Sequence, residues 1–455
     1  MTARIRFLIK ILFILIFFVS APFIISYTLG YRYNFSTRQI QKTGVLLLNS
    51  FPKDAQIFLN RKDTEKETPA VIKKLLPKEY DVEIKKTGYR TWSKKLTVQS
   101  GETTFAESII LFSESPPAPV IERAIIEASF SPDKNSVVYA VEEASWNEIW
   151  LGSPKEKKFT LIDRRETTKF INVGFAWAPG SERVYLKIQT PNGLEHLIYN
   201  ISKNQLQNLD ELFSKDITGF KWSTSSDYVF YAKEGKKLTS YNLLTGQRKF
   251  LLNNVEEFFV RGDKIYLLTN NQQEVIIEQF NALDLAAAPS ILYRLPLGNY
   301  AFQESSYPYL LLKSDDDQIL LFDMSSPFIE PILQKPAKDF AWFMADDGSK
   351  KLLYFQDFEI WVYDLTTKNN ELITRFGEPI KQIAWHKNGN YVFCMFETNM
   401  SAIELDSRGG RSIFTLFPAD SLINFTPDYN AKTIYFIGTL DGQVGLYQYL
   451  LVEPQ

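Results

Sequence analysis

The sequence predicts a mainly β protein that consists of a single N-terminal transmembrane helix, a small β-sandwich and a seven- or eight-bladed β-propeller. Three observations predict this fold class. An uncharged apolar run of 21 residues occupies positions 11–31. Short apolar segments broken by proline and glycine follow over residues 44–112. Over residues 120–455 a phrase of three strands recurs, with a period of about 42 residues that is typical of propeller blades.

The composition excludes several kinds of site before any motif is considered. The chain has 455 residues, of which 45% are apolar, so most of it is expected to form packed cores. One cysteine (Cys394) and two histidines (His196 and His386) exclude an internal disulfide framework, a thiolate zinc cluster and an iron–sulfur site. With 51 basic and 53 acidic side chains, the chain lacks the strongly basic surface of a nucleic-acid-binding protein. We therefore expect no cofactor, metal or nucleic acid.

The apolar run at 11–31 predicts a transmembrane signal anchor. As a helix it extends about 32 Å, which matches a hydrocarbon core of roughly 30 Å. Tyr27, Tyr31 and Tyr33 lie near one end, as expected for an interfacial aromatic belt. The alternative is a cleaved signal peptide, because residues 1–10 are basic and Val19–Ala21 resembles a cleavage site. The run continues well beyond Pro22, which favours an uncleaved anchor.

The distribution of charge predicts the orientation. Residues 1–10 form a short basic segment, which predicts a cytoplasmic stub. Residues 33–112 carry 14 basic and 9 acidic side chains, a net charge of +5, and residues 113–455 carry 33 basic and 44 acidic side chains, a net charge of −11. The expected location is the cell membrane, with a single span, a cytoplasmic amino terminus and an extracytoplasmic body.

Residues 44–112 predict a compact β-sandwich. Prolines and glycines separate segments that are apolar or alternate in polarity. The predicted strands are Val45–Leu48, Gln56–Leu59, Tyr80–Lys85, Arg90–Val98 and Thr104–Phe112. Tyr89 and Trp92 are expected to pack within the domain. The lysine pairs at 73–74, 85–86 and 94–95 are expected on a solvated face.

This region resembles the PEGA domain. The landmarks occur in the family's order, at Ser50–Ala55, Thr68-Pro69, Leu76–Tyr80 and Lys86–Tyr89. The resemblance implies an extracytoplasmic β-sandwich beside an envelope anchor, with no enzymatic activity of its own. Lys53-Asp54 replaces the Glu-Gly pair of the family, and Asp54 is compatible with a turn of positive φ. Glu79 replaces a glycine and predicts a different turn.

Residues 113–119 contain three prolines and predict a semi-rigid linker. Beyond it, each repeat has an apolar strand that carries an aromatic residue, a polar turn, a second strand and a third strand that ends near Tyr/Phe-Asn/Asp. These repeat aromatics are separated by 37 to 47 residues. They are Phe130, Trp177, Trp222, Phe259, Phe302, Trp342, Trp385 and Phe425. Because each blade buries its sheet against its neighbours, we expect them in the blade core.

The repeated phrase resembles the blades of TolB-like and WD-repeat-like propellers, which serve many unrelated functions. Eight phrases are present, and those at Phe259 and Phe302 are degenerate, so seven blades remain an alternative. The final strand, near residues 443–451, is expected to complete a blade begun near residue 121.

The sequence contains no motif that assigns a catalytic, metal-binding or cofactor-binding residue. It has neither a Gly-x-Ser-x-Gly elbow nor a glycine-rich phosphate loop. His196 is expected in a strand, His386 in a blade turn, and Cys394 among buried strand residues. Asp315–Asp317 is the best candidate for a cation site, since clustered carboxylates offer oxygen ligands. A solvated hairpin loop is the preferred interpretation there and at Asp346-Asp347.

The sequence therefore favours a membrane-anchored, non-enzymatic envelope protein. Its propeller is expected to be a binding or assembly platform for a partner protein or a cell-wall glycan. The alternative is a propeller hydrolase or lyase that acts on glycans or peptides through carboxylates in the channel. A third hypothesis is a sensory or assembly subunit whose helix has a partner in the membrane.

Overall fold

One long helix precedes a chain of β-strands in the computed structural model, which describes residues 3–35, 37–209, 212 and 217–452. The helix, α1, runs from Ala3 to Thr28 and includes Pro22. Its segment Ile9–Thr28 is long and apolar enough to cross a membrane, and none of this segment is buried by the rest of the chain. The helix ends before the predicted limit at residue 31, because Gly30 (φ 91°) redirects the chain into a strand.

A two-stranded hairpin follows the helix directly. Strands β1 (Tyr31–Asn34) and β2 (Gln39–Lys42) pair antiparallel. After β2, the backbone N–H and the hydroxyl of Thr43 both donate to the Gly30 carbonyl, at 2.8 and 2.9 Å. These bonds close the hairpin at the point where it meets the helix.

Residues 44–110 form two packed sheets. The strands are β3 (Gly44–Phe51), β4 (Gln56–Leu59), β5 (Lys62–Glu67), β6 (Ala70–Leu75), β7 (Lys78–Lys85), β8 (Trp92–Val98) and β9 (Thr103–Ile110). One sheet has the order β6-β3-β9 and the other β5-β4-β7-β8. The core between them contains Leu46, Ile84 and Trp92, all fully buried. Trp92 is therefore a core residue, as the sequence predicts.

Two strands of the sandwich, β5 and β6, were not predicted from the sequence. They read Lys-Asp-Thr-Glu-Lys-Glu and Ala-Val-Ile-Lys-Lys-Leu and are mostly exposed. Each lies at the edge of its sheet, where charged side chains such as lysine are common. Asp54 has a positive φ of 57°, as expected, and Glu79 lies within β7 rather than in a turn.

The remainder of the described chain forms eight four-stranded antiparallel sheets, the blades of the propeller. A short strand, β10 (Ala118–Ile121), precedes them. Blade 1 is β11 (Ile125–Phe130), β12 (Val137–Glu142), β13 (Trp146–Ser153) and β14 (Lys158–Glu166), followed by a 3₁₀ turn at Thr167–Lys169. Blade 2 is β15 (Asn172–Trp177), β16 (Arg183–Thr190), β17 (Gly193–Asn200) and β18 (Gln205–Asn208). Blade 3 is β19 (Ile217–Ser223), β20 (Ser226–Glu234), β21 (Lys237–Asn242) and β22 (Gln247–Leu252).

The next three blades repeat this pattern. Blade 4 is β23 (Glu257–Arg261), β24 (Lys264–Asn270), β25 (Glu274–Asn281) and β26 (Ser290–Pro296). Blade 5 is β27 (Tyr300–Gln303), β28 (Tyr309–Ser314), β29 (Gln318–Asp323) and β30 (Pro331–Pro336). Blade 6 is β31 (Asp339–Met344), β32 (Lys350–Gln356), β33 (Glu359–Asp364) and β34 (Asn369–Arg375).

The last blade closes the ring with a strand from the beginning of the propeller. Blade 7 is β35 (Gln382–Trp385), β36 (Tyr391–Met395), β37 (Asn399–Glu404) and β38 (Ile413–Pro418). Blade 8 is β39 (Ser421–Pro427), β40 (Thr433–Leu440) and β41 (Gln443–Leu450), with β10 as its fourth strand. In the β10–β41 pairing, Ala118 lies opposite Gln448. The expected closure is therefore present, and residues 118 and 119 belong to a strand rather than to the linker.

All eight repeat aromatics lie in the first strand of their blade, the strand that contacts the first strand of a neighbouring blade. Most are buried, whereas Phe130, Trp177 and Trp342 are only half-buried. The tryptophans also bond across blades. Trp222 Nε1 donates to the Ala176 carbonyl of blade 2 at 2.9 Å, and Trp177 Nε1 donates to the Ser129 carbonyl of blade 1 at 3.1 Å. The repeat thus specifies contacts between blades as well as the core within them.

The sandwich packs directly against blades 7 and 8. Ile110 and Phe112 belong to the same hydrophobic core as Tyr391 of blade 7 and Tyr449 of blade 8. The backbone N–H of Ile110 donates to the Tyr391 hydroxyl at 3.2 Å. Ser113, the first residue of the predicted linker, is fully buried. The connection between the two domains is therefore a packed interface.

The prediction of a solvated face was wrong for one lysine. The side chain of Lys94 is completely buried in this interface, and its Nζ lies 2.8 Å from Glu404 Oε2 of blade 7. The same Nζ donates to the Asp406 carbonyl at 2.6 Å. Lys95, on the opposite side of the same strand, is exposed, as predicted. The alternation of β8 therefore turns one lysine of the pair into the propeller.

Candidate binding groove

The two histidines and the cysteine lie inside the propeller. His196 is in β17 and fully buried, and its Nδ1 is 2.6 Å from the Tyr185 hydroxyl. His386 follows β35 in a turn, where burial lowers its pKa below the ordinary value. Cys394 is fully buried in β36, and burial raises the pKa of its thiol. All three occupy the strand and turn positions expected from the sequence. His386 and Cys394 belong to blade 7, and His196 belongs to blade 2.

The aspartate cluster at 315–317 lies in the turn between β28 and β29, and each carboxylate has a separate partner. Asp315 accepts a hydrogen bond from Asn299 Nδ2 at 2.7 Å, and Asp317 lies 2.9 Å from Lys313 Nζ. At the second cluster, Asp347 accepts from the backbone N–H of Ser349, which lowers its pKa. In the part of the chain that the structure describes, no group of three or more His, Cys, Asp or Glu residues is arranged to hold a metal ion.

Three acidic residues on first strands have perturbed carboxyl groups. Burial raises the pKa of Glu127 in blade 1, of Glu257 in blade 4 and of Asp339 in blade 6. Lys221 and Lys233 act against burial at Glu257. Because these acids belong to non-adjacent blades, their pKa values reflect separate environments.

A groove between blades 2, 3 and 4 is the best candidate for a functional site. Its walls derive from one motif that occurs twice, Gly174-Phe-Ala-Trp177 in β15 and Gly219-Phe-Lys-Trp222 in β19. Each copy places a residue without a side chain three positions before a repeat aromatic. A glycine within a strand weakens it, and such glycines often mark a close approach by a ligand or another backbone.

Two adjoining cavities make up this aromatic groove. The larger has a volume of about 550 Å³, within the usual range for small-ligand pockets. The smaller has a volume of about 210 Å³. Both are lined by Phe175, Ala176 and Phe220. The larger is also lined by Trp177, Trp222, Phe259, Pro132, Pro179, Lys221, Ser223, Thr224, Val260 and Glu304, and the smaller by Gly174, Tyr185, Lys187, Ile217, Thr218 and Gly219.

The groove is open above Gly174. A Cβ atom added at this position meets no atom within 4 Å, and the backbone lies outside the left-handed region. At Gly219 an added Cβ lies 3.3 Å from the ring of Phe258. The space in front of Gly174 is therefore accessible to a ligand.

Aromatic contacts and hydrogen bonds hold the walls in place. The ring of Phe220 stacks on Tyr185 of blade 2 with centroids 3.8 Å apart, and Tyr185 in turn bonds His196. Trp177 and Trp222 are fixed by their bonds to the preceding blades. The groove thus presents preorganised ring surfaces, which lose little conformational entropy when a partner binds.

Sequence reasoning assigned the repeat aromatics to the blade core and missed this groove. For Trp222 and Phe259 the assignment agrees with their burial, yet both also line the cavity. The sequence feature that could have revealed the groove is the repeated Gly-Phe-x-Trp motif. A glycine within a strand weakens the strand and often marks a close approach by a ligand or another backbone. Blades 6 and 7 have Asp339 and Gln382 at the corresponding position.

The comparisons with known proteins agree with this architecture. Residues 43–108 match the model of the PEGA domain family. No curated protein sequence is similar to this chain.

The propeller is similar in structure to several solved proteins. The Dos1 propeller has a TM-score of 0.50 and 12% sequence identity, over 74% of this chain and 94% of that chain. A eukaryotic initiation factor has a TM-score of 0.50 and 10% identity, over 83% of this chain and 94% of that chain. Oligogalacturonate lyase from Vibrio parahaemolyticus has a TM-score of 0.41 and 10% identity, over 72% of this chain and 98% of that chain. At such identities the similarity shows the fold alone. The chain thus contains a PEGA domain at residues 43–108, which is followed by a β-propeller.

Proposed function

We propose that this chain is a membrane-anchored, extracytoplasmic protein whose propeller binds a partner protein in the aromatic groove and catalyses no reaction. The observation that carries the proposal is the groove itself. Five of the thirteen residues that line the larger cavity are aromatic, and its charged lining residues are Lys221 and Glu304. Aromatic enrichment with few charges is typical of the core of protein interfaces.

The helix supports a location at the membrane. Its segment Ile9–Thr28 is long and apolar enough to cross a membrane and is not buried by the rest of the described chain, and a PEGA domain follows it within fifteen residues. PEGA domains are typically extracellular, and the basic residues at the amino-terminal end of the helix, Arg4, Arg6 and Lys10, favour a cytoplasmic amino terminus. The helix then serves as an uncleaved signal anchor.

The interface between the domains supports a platform rather than a flexible tether. Ile110 and Phe112 share a core with blades 7 and 8, and Lys94 is buried against blade 7. A propeller fixed to a membrane-proximal domain holds its groove at a defined position, which reduces the entropy lost on binding a partner in the same membrane.

Site-specific photocrosslinking in native membranes tests the proposal. A photoreactive phenylalanine analogue replaces Pro179, an exposed residue at the groove, or Pro327, an exposed proline in the loop between β29 and β30. We expect a discrete protein adduct from position 179 and none from position 327. The adduct is expected to disappear in the Gly174→Val variant, because the new side chain starts from a position where a Cβ meets no other atom and it occupies space in the groove.

Gly377→Val is the matched control. Gly377 also has open space for a Cβ and lies outside the groove, between β34 and β35. A protein adduct that persists in Gly174→Val contradicts the proposal. If no adduct forms and the chain instead binds purified cell-wall glycan in a manner abolished by Gly174→Val, the partner is a glycan and not a protein.

A further inference from the structure

The hairpin β1–β2 has an apolar face that the rest of the described chain leaves uncovered. In its register, Tyr31 lies opposite Lys42 and Tyr33 lies opposite Ile40, so these side chains project from one face. Tyr31, Tyr33 and Ile40 are 40%, 47% and 64% exposed. Phe35 follows the strand, packs edge-on against Tyr33 with centroids 5.0 Å apart, and is 86% exposed.

The opposite face of the hairpin is polar. Asn34 is buried, and its Nδ2 donates to Gln41 Oε1 at 2.9 Å. Gln39 is paired with Asn34 and lies on this same face, exposed to solvent. A two-stranded ribbon with three aromatic side chains on one exposed face and amides on the other is amphipathic, and such a face requires an apolar partner.

Contacts with the helix determine where this face lies. The guanidinium of Arg32 stacks on the ring of Tyr27 at 3.4 Å from its centroid and donates to the Tyr27 carbonyl at 2.8 Å. Lys74 of β6 also approaches Tyr27, with its Nζ 5.8 Å from the ring centroid. The hairpin is thus fixed at the last turn of the proposed membrane span, within reach of the lipid headgroups.

The chemistry of the face matches the membrane interface. Tyrosines are enriched where lipid tails meet headgroups, because each ring has an apolar body and a polar hydroxyl. Residues 31–42 contain Arg32, Arg38 and Lys42 and no acidic residue. Cations beside an apolar face favour an anionic lipid surface.

We infer that the hairpin is a second membrane-contacting element, whose Tyr31, Tyr33, Phe35 and Ile40 face enters the interface of the bilayer in which α1 is anchored. The helix alone permits rotation and tilt about its end. A hairpin that lies in the interface fixes the orientation of the PEGA domain and the propeller relative to the membrane plane. The inference rests on the proposed membrane anchor and goes beyond it.

Spin labels report the environment of this face. Single cysteines are introduced as Phe35→Cys and Ile40→Cys on the apolar face and as Gln39→Cys on the polar face. The full chain is reconstituted in vesicles of phosphatidylcholine and phosphatidylglycerol. The unmodified chain, whose Cys394 is fully buried, gives the background labelling. The measurement is the ratio of label accessibility to oxygen, which partitions into lipid, and to a water-soluble nickel chelate.

We expect positions 35 and 40 to show an oxygen-to-nickel ratio several times that of position 39. Two apolar-face positions are used so that one poorly folded variant does not decide the result. Water-like ratios at all three positions in a chain that sediments with vesicles overturn the inference and leave the anchor intact. Labels at 35 and 40 that are shielded from both reagents show that a protein covers the face, which also overturns it. A chain that does not sediment with vesicles removes the anchor and the inference together.

Discussion

Lys94 of the PEGA domain and Glu404 of blade 7 form an ion pair across the domain boundary, and both side chains are almost completely excluded from solvent. The Nζ and Oε2 atoms are 2.8 Å apart, and Trp92 Nε1 donates to the same carboxylate at 3.3 Å. A buried pair of this kind stabilises little relative to apolar residues of the same shape, but the removal of one partner is costly. The pair therefore specifies how the two domains dock.

The Lys94→Met variant is expected to lose stability, because Glu404 is left buried without its cation. The expected loss is about 3–5 kcal/mol, seen as a lower midpoint of thermal unfolding and faster proteolysis near residue 113. Lys94→Met/Glu404→Leu is expected to recover most of the loss. Lys95→Met, which removes the exposed neighbour, serves as the control and is expected to change stability by less than about 1 kcal/mol. Equal effects of the two single substitutions contradict the prediction.

The same pair predicts a dependence on pH. Burial raises the pKa of Glu404 above its ordinary value of 4.5, even with Lys94 beside it. A carboxyl group with a raised pKa binds its proton more tightly in the folded state, so stability present at low pH is lost as pH rises from about 4.5 through the folded-state pKa. In Lys94→Met the pKa is expected to rise further, so its unfolding midpoint should fall more steeply with pH than that of the unmodified chain. Lys94→Met/Glu404→Gln should lack the additional slope, and an equal slope in that variant would assign the effect to another group.

The hydrogen bonds between blades predict the effect of a conservative change in the groove wall. Trp222→Phe keeps an aromatic ring but removes the donor to the Ala176 carbonyl. We expect a loss of about 1–3 kcal/mol, since the carbonyl loses its partner and the smaller ring leaves a void. Thermal unfolding measures it. Trp146→Phe, at a tryptophan that is 39% exposed in β13, is the control, and a comparable loss there would show that the bond between blades contributes nothing.

Closure of the ring can be tested with a covalent bond. Ala118 and Gln448 are direct partners in the β10–β41 pairing. The Ala118→Cys/Gln448→Cys variant is expected to form a disulfide and to gain about 2–4 kcal/mol of stability under oxidising conditions, because the bond closes a long loop in the unfolded chain. The gain is measured as the difference between the unfolding midpoints with and without reductant. Failure of the two thiols to oxidise in the folded chain would contradict the pairing.

The local pattern of apolar, aromatic and turn residues was sufficient to predict much of the fold. The repeat aromatics located the eight blades, since each blade places one such residue in its first strand. Phe259 and Phe302 appeared degenerate in sequence, yet their blades are complete four-stranded sheets. The same pattern did not predict the strands β5 and β6, because the polar and apolar residues of these edge strands do not alternate.

Contacts between residues that are far apart along the chain could not be predicted from the sequence. Lys94 reads as one of a pair of exposed lysines, and its partner is more than 300 positions away along the chain. The groove depends on how two copies of Gly-Phe-x-Trp face each other across blades 2 and 3, which a single strand does not encode. The motif itself was visible, and the open space above Gly174 was not.

The PEGA domain and the strand that closes the ring share a consequence for biosynthesis. Trp92 and Glu404 are separated by 312 residues along the chain. Similarly, β10 cannot pair until β41 has been synthesised. At about 5–20 residues per second, a ribosome needs roughly 15 to 60 s to bridge that distance. During this interval the PEGA domain lacks its contacts with blade 7, and β10 lacks the strand that pairs with it. The propeller therefore closes only after β41 has been synthesised, and until then Ile110 and Phe112 lack the apolar core that blades 7 and 8 provide.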